Sequence, residues 1–374
     1  MVSLARSNLW FERRRYGTAV LAVTFAGLLV VIQFALLLGL FGTVSAVIDR
    51  SGADLWIGFP GTPSVDMGRP IHRGSDAAAW RHPGVEKIER YSYAYGDLRR
   101  SDGVAVAVVV NAIDAADGAL AFGRLLTAEQ RALLREPGAI LIDAADARKL
   151  RAEVGTALEI NGRRAHVAAL VEGIRAVGSV NVLASQATAR VLAPETSDAV
   201  TFYLVGLSSG YDPEHVAREI RDTAPFPRYD VWPARSFSAQ SQVYWLLESG
   251  VGIGSGFAAL LALAVGVVIT SQTLSGAILS SIKEFAALRS LGVSLGALRA
   301  VVVEQSLWVG AAGLTTNALL TLAISMLGAH LRIAMSFPWW MLAATGVTMM
   351  GVAVLSGLLS LRPLLNADPA TLLR

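Results

Sequence analysis

Gly206-Leu207-Ser208-Ser209-Gly210 has the spacing of a nucleophile elbow, the sharp turn that lifts a serine off the end of a strand for acyl transfer. A strand-like run, Thr201–Leu207, precedes it and a helical pattern, Pro213–Thr223, follows. Such a serine needs an acid and a histidine further along the chain to manage its proton. Only His215, close behind it, and His330, at the edge of an apolar run, lie downstream, so a polar turn is the plainer reading. The five histidines (His72, His82, His166, His215 and His330) are scattered, without a His-Glu-x-x-His pair, and a metal site is not expected. The absence of cysteine excludes disulfides and thiolate ligands. The dipeptide Gly-Lys is absent too, and with it the phosphate-cradling Walker A loop. Gly250, Gly252, Gly254 and Gly256 alternate like a dinucleotide loop but open an apolar run instead of following a strand. No catalytic residue, metal or cofactor is assigned to this chain, and it is not read as an enzyme.

The glycines suit another role. Gly252 and Gly256 are four apart, and small residues at that spacing let helix backbones approach closely in a membrane. Gly310 with Gly313, and Gly346 with Gly351, add further small patches. They fit either an interface that slides or plain bundle packing. Polar residues in or near the apolar runs (Gln33, Gln272, Glu304, Gln305 and Asn317) fit structural hydrogen bonding better than a substrate path.

The elements that hold these residues follow from composition. Hydrophobic residues make up 53% of the chain and charged residues 16%, against about a quarter charged in an average soluble domain. The net charge of +3 does not point to nucleic acid, because the arginines gather at the edges of apolar runs rather than on one face. A bilayer core about 30 Å thick takes about 20 apolar residues in helix. Four uncharged runs satisfy this: 16–48, 249–282, 305–329 and 333–361. Arg6, Arg13, Arg14 and Arg15 precede the first, Lys283, Arg289 and Arg299 separate the second from the third, and Arg362 and Arg374 follow the fourth. The third–fourth connection carries only Arg332. Positive charge marks the cytoplasmic side, so both termini are expected inside and the segment between the first and second spans outside. The first run is too long for a signal-peptide core, despite the small residues Val44-Ser45-Ala46, and is read as an uncleaved anchor.

The expected order is a cytoplasmic segment 1–15, a first span with outward stalk 16–48, an extracytoplasmic α+β domain 49–235, and a stalk with the second span 236–282. A cytoplasmic loop 283–299, a third span 300–329, an outer loop 330–338, a fourth span 339–361 and a tail 362–374 complete it. Within the inserted domain, strands are expected at Leu55–Gly58, Val104–Ile113, Ala139–Ile142, Ala157–Ile160, Ala165–Val171, Val180–Leu183, Thr201–Leu207 and Tyr229–Val231. Asn161-Gly162 signals a hairpin, since both turn positions want positive φ. Helices are expected at Ala128–Leu134 and Pro213–Thr223, the second with Asp212 as N-cap. Helical patterns at Val44–Arg50 and Ser236–Leu247 suggest that two helices rise unbroken from the bilayer as a stalk.

In the loop after the second span, Ile282, Phe285 and Leu288 recur every three residues and make a short apolar face, with Lys283, Glu284 and Arg289 for charge and Gly292 as a stop. Such a helix can dock in a partner's groove. The run Lys283-Glu284-Phe285-Ala286-Ala287-Leu288-Arg289-Ser290-Leu291-Gly292 resembles the coupling-helix signature of the FtsX-like permeases, the superfamily of MacB-type efflux, lipoprotein-release and DevC-type exporter subunits. The ending Arg362-Pro363-Leu364-Leu365-Asn366-Ala367-Asp368-Pro369, and Gly138–Asp143, Val154-Gly155 and Val167–Gly173 in the inserted domain, are similar to the same superfamily. Leu4–Leu9 and Ala53–Ile57 look closest to DevC-type subunits, and this chain, unlike MacB, carries no fused ATPase.

The resemblance implies a permease subunit of an ABC-type exporter in the bacterial inner membrane, working by mechanotransmission. Residues Ile282, Lys283, Glu284, Phe285, Leu288, Arg289, Leu291 and Gly292 would couple to a separate ABC ATPase, on which ATP and magnesium bind. It implies pairing with a second copy or a similar permease, and allows a periplasmic adaptor and an outer-membrane channel. The alternative is an FtsX-like regulator that transports nothing and activates an extracytoplasmic enzyme.

Overall fold

The computed structural model describes residues 13–100, 102–176, 178–198, 200–223, 228–279, 287, 291–331 and 333–360. The chain forms two compact units, one from Leu40–Gly252 and the other from Met1–Gly39 with Ile253–Arg374. Its main helices are α1 (Arg13–Val44), α2 (Ala128–Leu134), α3 (Gln186–Leu192), α4 (Pro213–Asp222), α5 (Ala234–Leu247), α6 (Val251–Leu279), α7 (Leu295–His330) and α8 (Trp339–Leu359). The strands are β1 (Leu55–Gly58), β2 (Val85–Arg99), β3 (Ala105–Ile113), β4 (Ala139–Asp143), β5 (Ala157–Ile160), β6 (Arg163–Val171), β7 (Val180–Ser185), β8 (Phe202–Leu207) and β9 (Asp230–Pro233).

In the inserted domain β2 is the spine. Its first half pairs antiparallel with β8, its second half with β3, and its last residues Leu98 and Arg99 with β5. Since β3 runs beside β7, β7 beside β4, β4 beside β6 and β6 beside β5, the pairings close a ring of six strands. β8, β1 and β9 extend the sheet from the other half of β2. Alternate residues of a strand face opposite sides. Leu98, Val108, Val110, Ile140, Val167 and Val182 accordingly share one core, while Trp56, Tyr91, Ile113, Leu141, Leu183 and Phe202 belong to a second. A third core lies beneath α4, whose Val216, Ala217 and Ile220 cover Leu55, Ile57 and Val231. Asp212 caps α4 by accepting from the backbone N–H groups of Glu214 and His215, with Pro213 at the first helical position.

The Asn161-Gly162 turn joins β5 to β6 with φ of 50° and 76°. The 15-residue strand β2 was not expected from the sequence. Its opening Val85-Glu86-Lys87-Ile88-Glu89-Arg90 is too charged to read as a strand, and it buries Glu89 instead of exposing it.

The continuous stalk is corrected. Helix α5 stops at Leu247, and α6 begins at Val251 after Gly250 takes φ +76°. A Cβ on Gly252 would stand 2.3 Å from the Leu246 backbone, so the chain doubles back too tightly there for an unbroken helix. On the first side, α1 ends at Val44 and Ala46–Asp49 is a separate turn.

The other unit supplies four helices long and apolar enough to cross a membrane: Tyr16–Val44, Gly252–Thr273, Gly296–His330 and Trp339–Leu359. The chain is thus a membrane protein with an α+β domain between its first and second spans. Half of the first span's most apolar stretch is buried within the protein, against 17% of the second's. The first helix is therefore central, and α6 presents Phe257, Leu260 and Val268 to its surroundings. Close approach explains the small residues on α1's neighbours. A Cβ on Gly313 would stand 2.7 Å from Val23, and one on Gly266 2.9 Å from Ala26. Thr24 Oγ1 donates across this contact to the Gly313 carbonyl at 3.1 Å.

Candidate functional site

Of the residues expected to couple to a partner ATPase, Ile282, Lys283, Glu284, Phe285, Leu288 and Arg289 lie outside the described residues. Leu291 and Gly292 are described. Leu291 is 81% exposed among the described residues. Gly292 takes φ +92°, a conformation that ends a helix, and Ser294 then caps α7 by accepting from the Ala297 N–H at 3.3 Å. The loop expected at 283–299 is therefore already helical from Leu295.

The four packing glycines differ in their surroundings. Gly310 faces Met350 and Ala353 of α8, and Gly313 faces Val23 of α1. Gly252 lies against its own chain at Leu246, and a Cβ on Gly256 would meet nothing within 4 Å. Among the polar span residues, Gln33 Nε2 donates to the Ser255 carbonyl at 3.4 Å, and Asn317 Oδ1 accepts from Thr321 at 3.3 Å. Gln272 is exposed. Gln305 is fully buried, with neither amide atom partnered among the described residues.

Among the described residues no histidine is hydrogen-bonded to the elbow-like Ser208. Ser208 follows β8 in an irregular stretch that continues to Asp212, and its N–H donates to the Gly84 carbonyl at 2.9 Å. His215 instead pairs with Glu219 at 3.1 Å, which also holds His82 at 2.7 Å. No group of three or more His, Asp or Glu side chains that could hold a metal occurs among the described residues.

The inserted domain holds a site that the sequence reading missed. An open cavity of about 80 Å³ is bounded by the end of α1, the 3-10 turn Val65–Met67, β2 and β3. Tyr91, Tyr93 and Tyr95 contribute their rings from one face of β2, with centroids 6.3 Å and 6.2 Å apart in sequence. All three phenolic protons are committed: Tyr91 to Asn111 Oδ1 at 2.5 Å, Tyr93 to the Gly68 carbonyl at 3.1 Å, Tyr95 to the Asp66 carbonyl at 3.3 Å. Burial holds each phenol above its usual pKa, and the Asp66 charge adds to this for Tyr93 and Tyr95. Asn111 Nδ2 donates to Asn181 Oδ1 at 3.2 Å, and Asn181 Nδ2 to the Ile174 carbonyl at 2.7 Å. Val44, Val47, Val65 and Val109 make the apolar part of the wall. The signal was legible as Tyr91-x-Tyr93-x-Tyr95, a period of two that puts three rings on one side of a strand.

Residues 17–223 match the family model of the MacB-like periplasmic core domain, and residues 256–369 that of the FtsX-like permease C-terminal region. No curated protein matches the chain. Among solved structures, the periplasmic region of MacB from Actinobacillus actinomycetemcomitans is similar at 11% identity, covering 51% of this chain and 94% of that one with a TM-score of 0.36. The extracellular domain of the ABC-type transporter YknZ from Gram-positive bacteria is similar at 13% identity, covering 48% and 99% with a TM-score of 0.34. The first model alone spans more than half of the chain and the second takes in the last three spans, so the chain belongs to the FtsX-like, MacB-type permease family.

Proposed function

We propose that this chain is the permease subunit of an ABC-type export system, converting ATP-driven motion of a separate ATPase into movement of its extracytoplasmic domain. Family membership gives the coarse role, a permease component that works with an ABC ATPase and binds no cofactor itself. The observation that carries the finer reading is the order of parts: one span, a MacB-like domain, then three spans of the FtsX-like type. In this scheme both termini and the 283–294 segment are cytoplasmic. Ile282, Phe285 and Leu288 fill a groove on the ATPase, Lys283, Glu284 and Arg289 fix the register, and Gly292 lets the chain turn into α7. Motion passes along the spans to the inserted domain, which expels a substrate from the membrane or periplasm. Two copies pair, and an adaptor with an outer-membrane channel extends the path.

Phe285→Ala and Leu288→Ala test this in membranes that contain the ATPase. Each truncation removes apolar contact worth about 2–3 kcal/mol. ATP hydrolysis is expected to persist while export falls at least tenfold, with unchanged membrane insertion. Full export in both variants overturns the coupling role. Co-purification from native membranes separates exporter from regulator: an ATPase with a periplasmic adaptor supports export, whereas an ATPase with a cell-wall hydrolase marks signalling.

A further inference from the structure

The tyrosine-lined cavity is asymmetric in its hydrogen-bonding capacity. The three phenols and the Asn111 amide spend their protons on protein acceptors, the Asn181 amide spends one, and Thr43 Oγ1 donates to the Leu40 carbonyl at 2.6 Å. Among the described residues no Lys, Arg or His lines the cavity. An anion entering it would find few donors, the Ser179 hydroxyl and one Asn181 amide proton, and no counter-charge among the described lining residues. The acceptors are a different matter. Asp66 takes the Trp245 indole N–H at 3.2 Å and the Ser64 hydroxyl, both on Oδ1. Among the described residues its Oδ2 has no partner and no Lys, Arg or His pairs with the carboxylate. Tyr95, 66% exposed, carries a ring beside it that faces solvent.

We propose that this cavity binds the ammonium group of a small organic cation, an amine or quaternary ammonium on a short hydrocarbon stem. The carboxylate supplies the counter-charge, aromatic faces attract a desolvated cation through their quadrupoles, and Val44, Val47 and Val109 take the methylene or methyl groups. Size sets the limit. At about 80 Å³ the cavity holds little more than two waters' worth of volume, well below the roughly 300 Å³ of a site for a whole drug-sized ligand. It therefore takes a head group and leaves the rest of the molecule outside. The site stands on the inserted domain alone and holds for an exporter or a regulator.

The test uses the full chain in nanodiscs of phosphatidylglycerol, which offers no ammonium head group. Titration with tetramethylammonium chloride, against sodium chloride at equal ionic strength, is followed by calorimetry and by tryptophan emission, since Trp245 touches Asp66. Saturable tetramethylammonium binding is expected where sodium gives none. Asp66→Asn should weaken it about fivefold and Tyr95→Leu about threefold. Tyr95 is exposed, so its variant keeps the fold even if Asp66→Asn disturbs the Ser64 and Trp245 contacts. Adding phosphatidylethanolamine to the discs separates the sources. Competition marks a lipid head group and its absence a free solute, and both support the site. Tetramethylammonium indistinguishable from sodium, or binding unchanged in both variants, overturns it.

Discussion

The two units treat buried polar groups in opposite ways. In the inserted domain they are almost all spoken for. Glu89, 4% exposed, accepts from the N–H groups of Leu120 and Ala121, while buried Arg131 donates to the carbonyls of Asp114, Ala119 and Ala121. Together they hold the loop after β3 from both sides. The exceptions among the described residues are the Trp56 indole N–H and one oxygen of Asp146. In the helical unit, Gln305 has neither amide atom paired among the described residues, and the hydroxyls of Thr270 and Ser306 have no partner among them either. An unsatisfied buried polar group costs about 1–3 kcal/mol. Buried side chains of the domain are thus largely satisfied within it, whereas three of the helical unit's have no partner among the described residues.

The largest effect expected from breaking the domain is at Trp56. Its ring is fully buried, with centroids of Phe202, Tyr91 and Phe237 at 5.4, 5.8 and 6.0 Å. Trp56→Ala should cost about 3–5 kcal/mol, read as a lower urea midpoint by near-ultraviolet circular dichroism. The comparison itself is sharpened by two amides. Asn181→Leu strands the Ile174 carbonyl and takes one of three acceptors from the Asn111 amide, and should cost about 1–3 kcal/mol. Gln305→Leu removes a group without partners among the described residues and should leave stability within about 0.5 kcal/mol or raise it. Equal losses at both positions would erase the distinction between the units.

Glycines give the next contrast. Gly313→Leu drives a side chain into Val23 on the central helix and should cost about 1–3 kcal/mol of bundle stability. Gly256→Leu meets open space and should leave the single chain's melting unchanged, so any loss it causes appears only in pairing between copies, measured by light scattering.

How much of this was legible in the sequence follows the same divide. Length and apolarity alone give the four spans, because lipid leaves a helix no alternative for its backbone groups. Local signals also worked in the domain: Asn161-Gly162 for the hairpin and Asp212-Pro213 for the start of α4. What stayed hidden depended on tertiary partners. β2 reads as polar because its charged half is completed by Glu89 reaching across to a loop some thirty residues away. The cavity assembles from α1, the Asp66 turn, β2 and β3, which no linear spacing brings together. The break at Gly250 was passed over because glycine is common inside membrane-spanning helices, while φ +76° is a property of the backbone that residue type alone does not dictate.

The smallest effect expected is one of pH, and it too separates the units, since it needs a buried carboxylate in water-facing structure. Burial raises the Glu89 pKa, and the Leu120 and Ala121 N–H groups only partly offset it. A carboxyl held above its unfolded value binds its proton more tightly in the folded state, so its contribution to stability is complete below the ordinary value of 4.5 and is lost as pH rises through the folded pKa. Urea midpoints of wild type and Glu89→Gln, measured from pH 4 upward, should therefore show the wild type falling relative to the variant across that window and running parallel above it. Gln keeps one acceptor for the loop, so the variant should start lower at acid pH and close the gap. A difference independent of pH would mean that the two backbone donors cancel the effect of burial, so that Glu89 binds its proton equally in the folded and unfolded states.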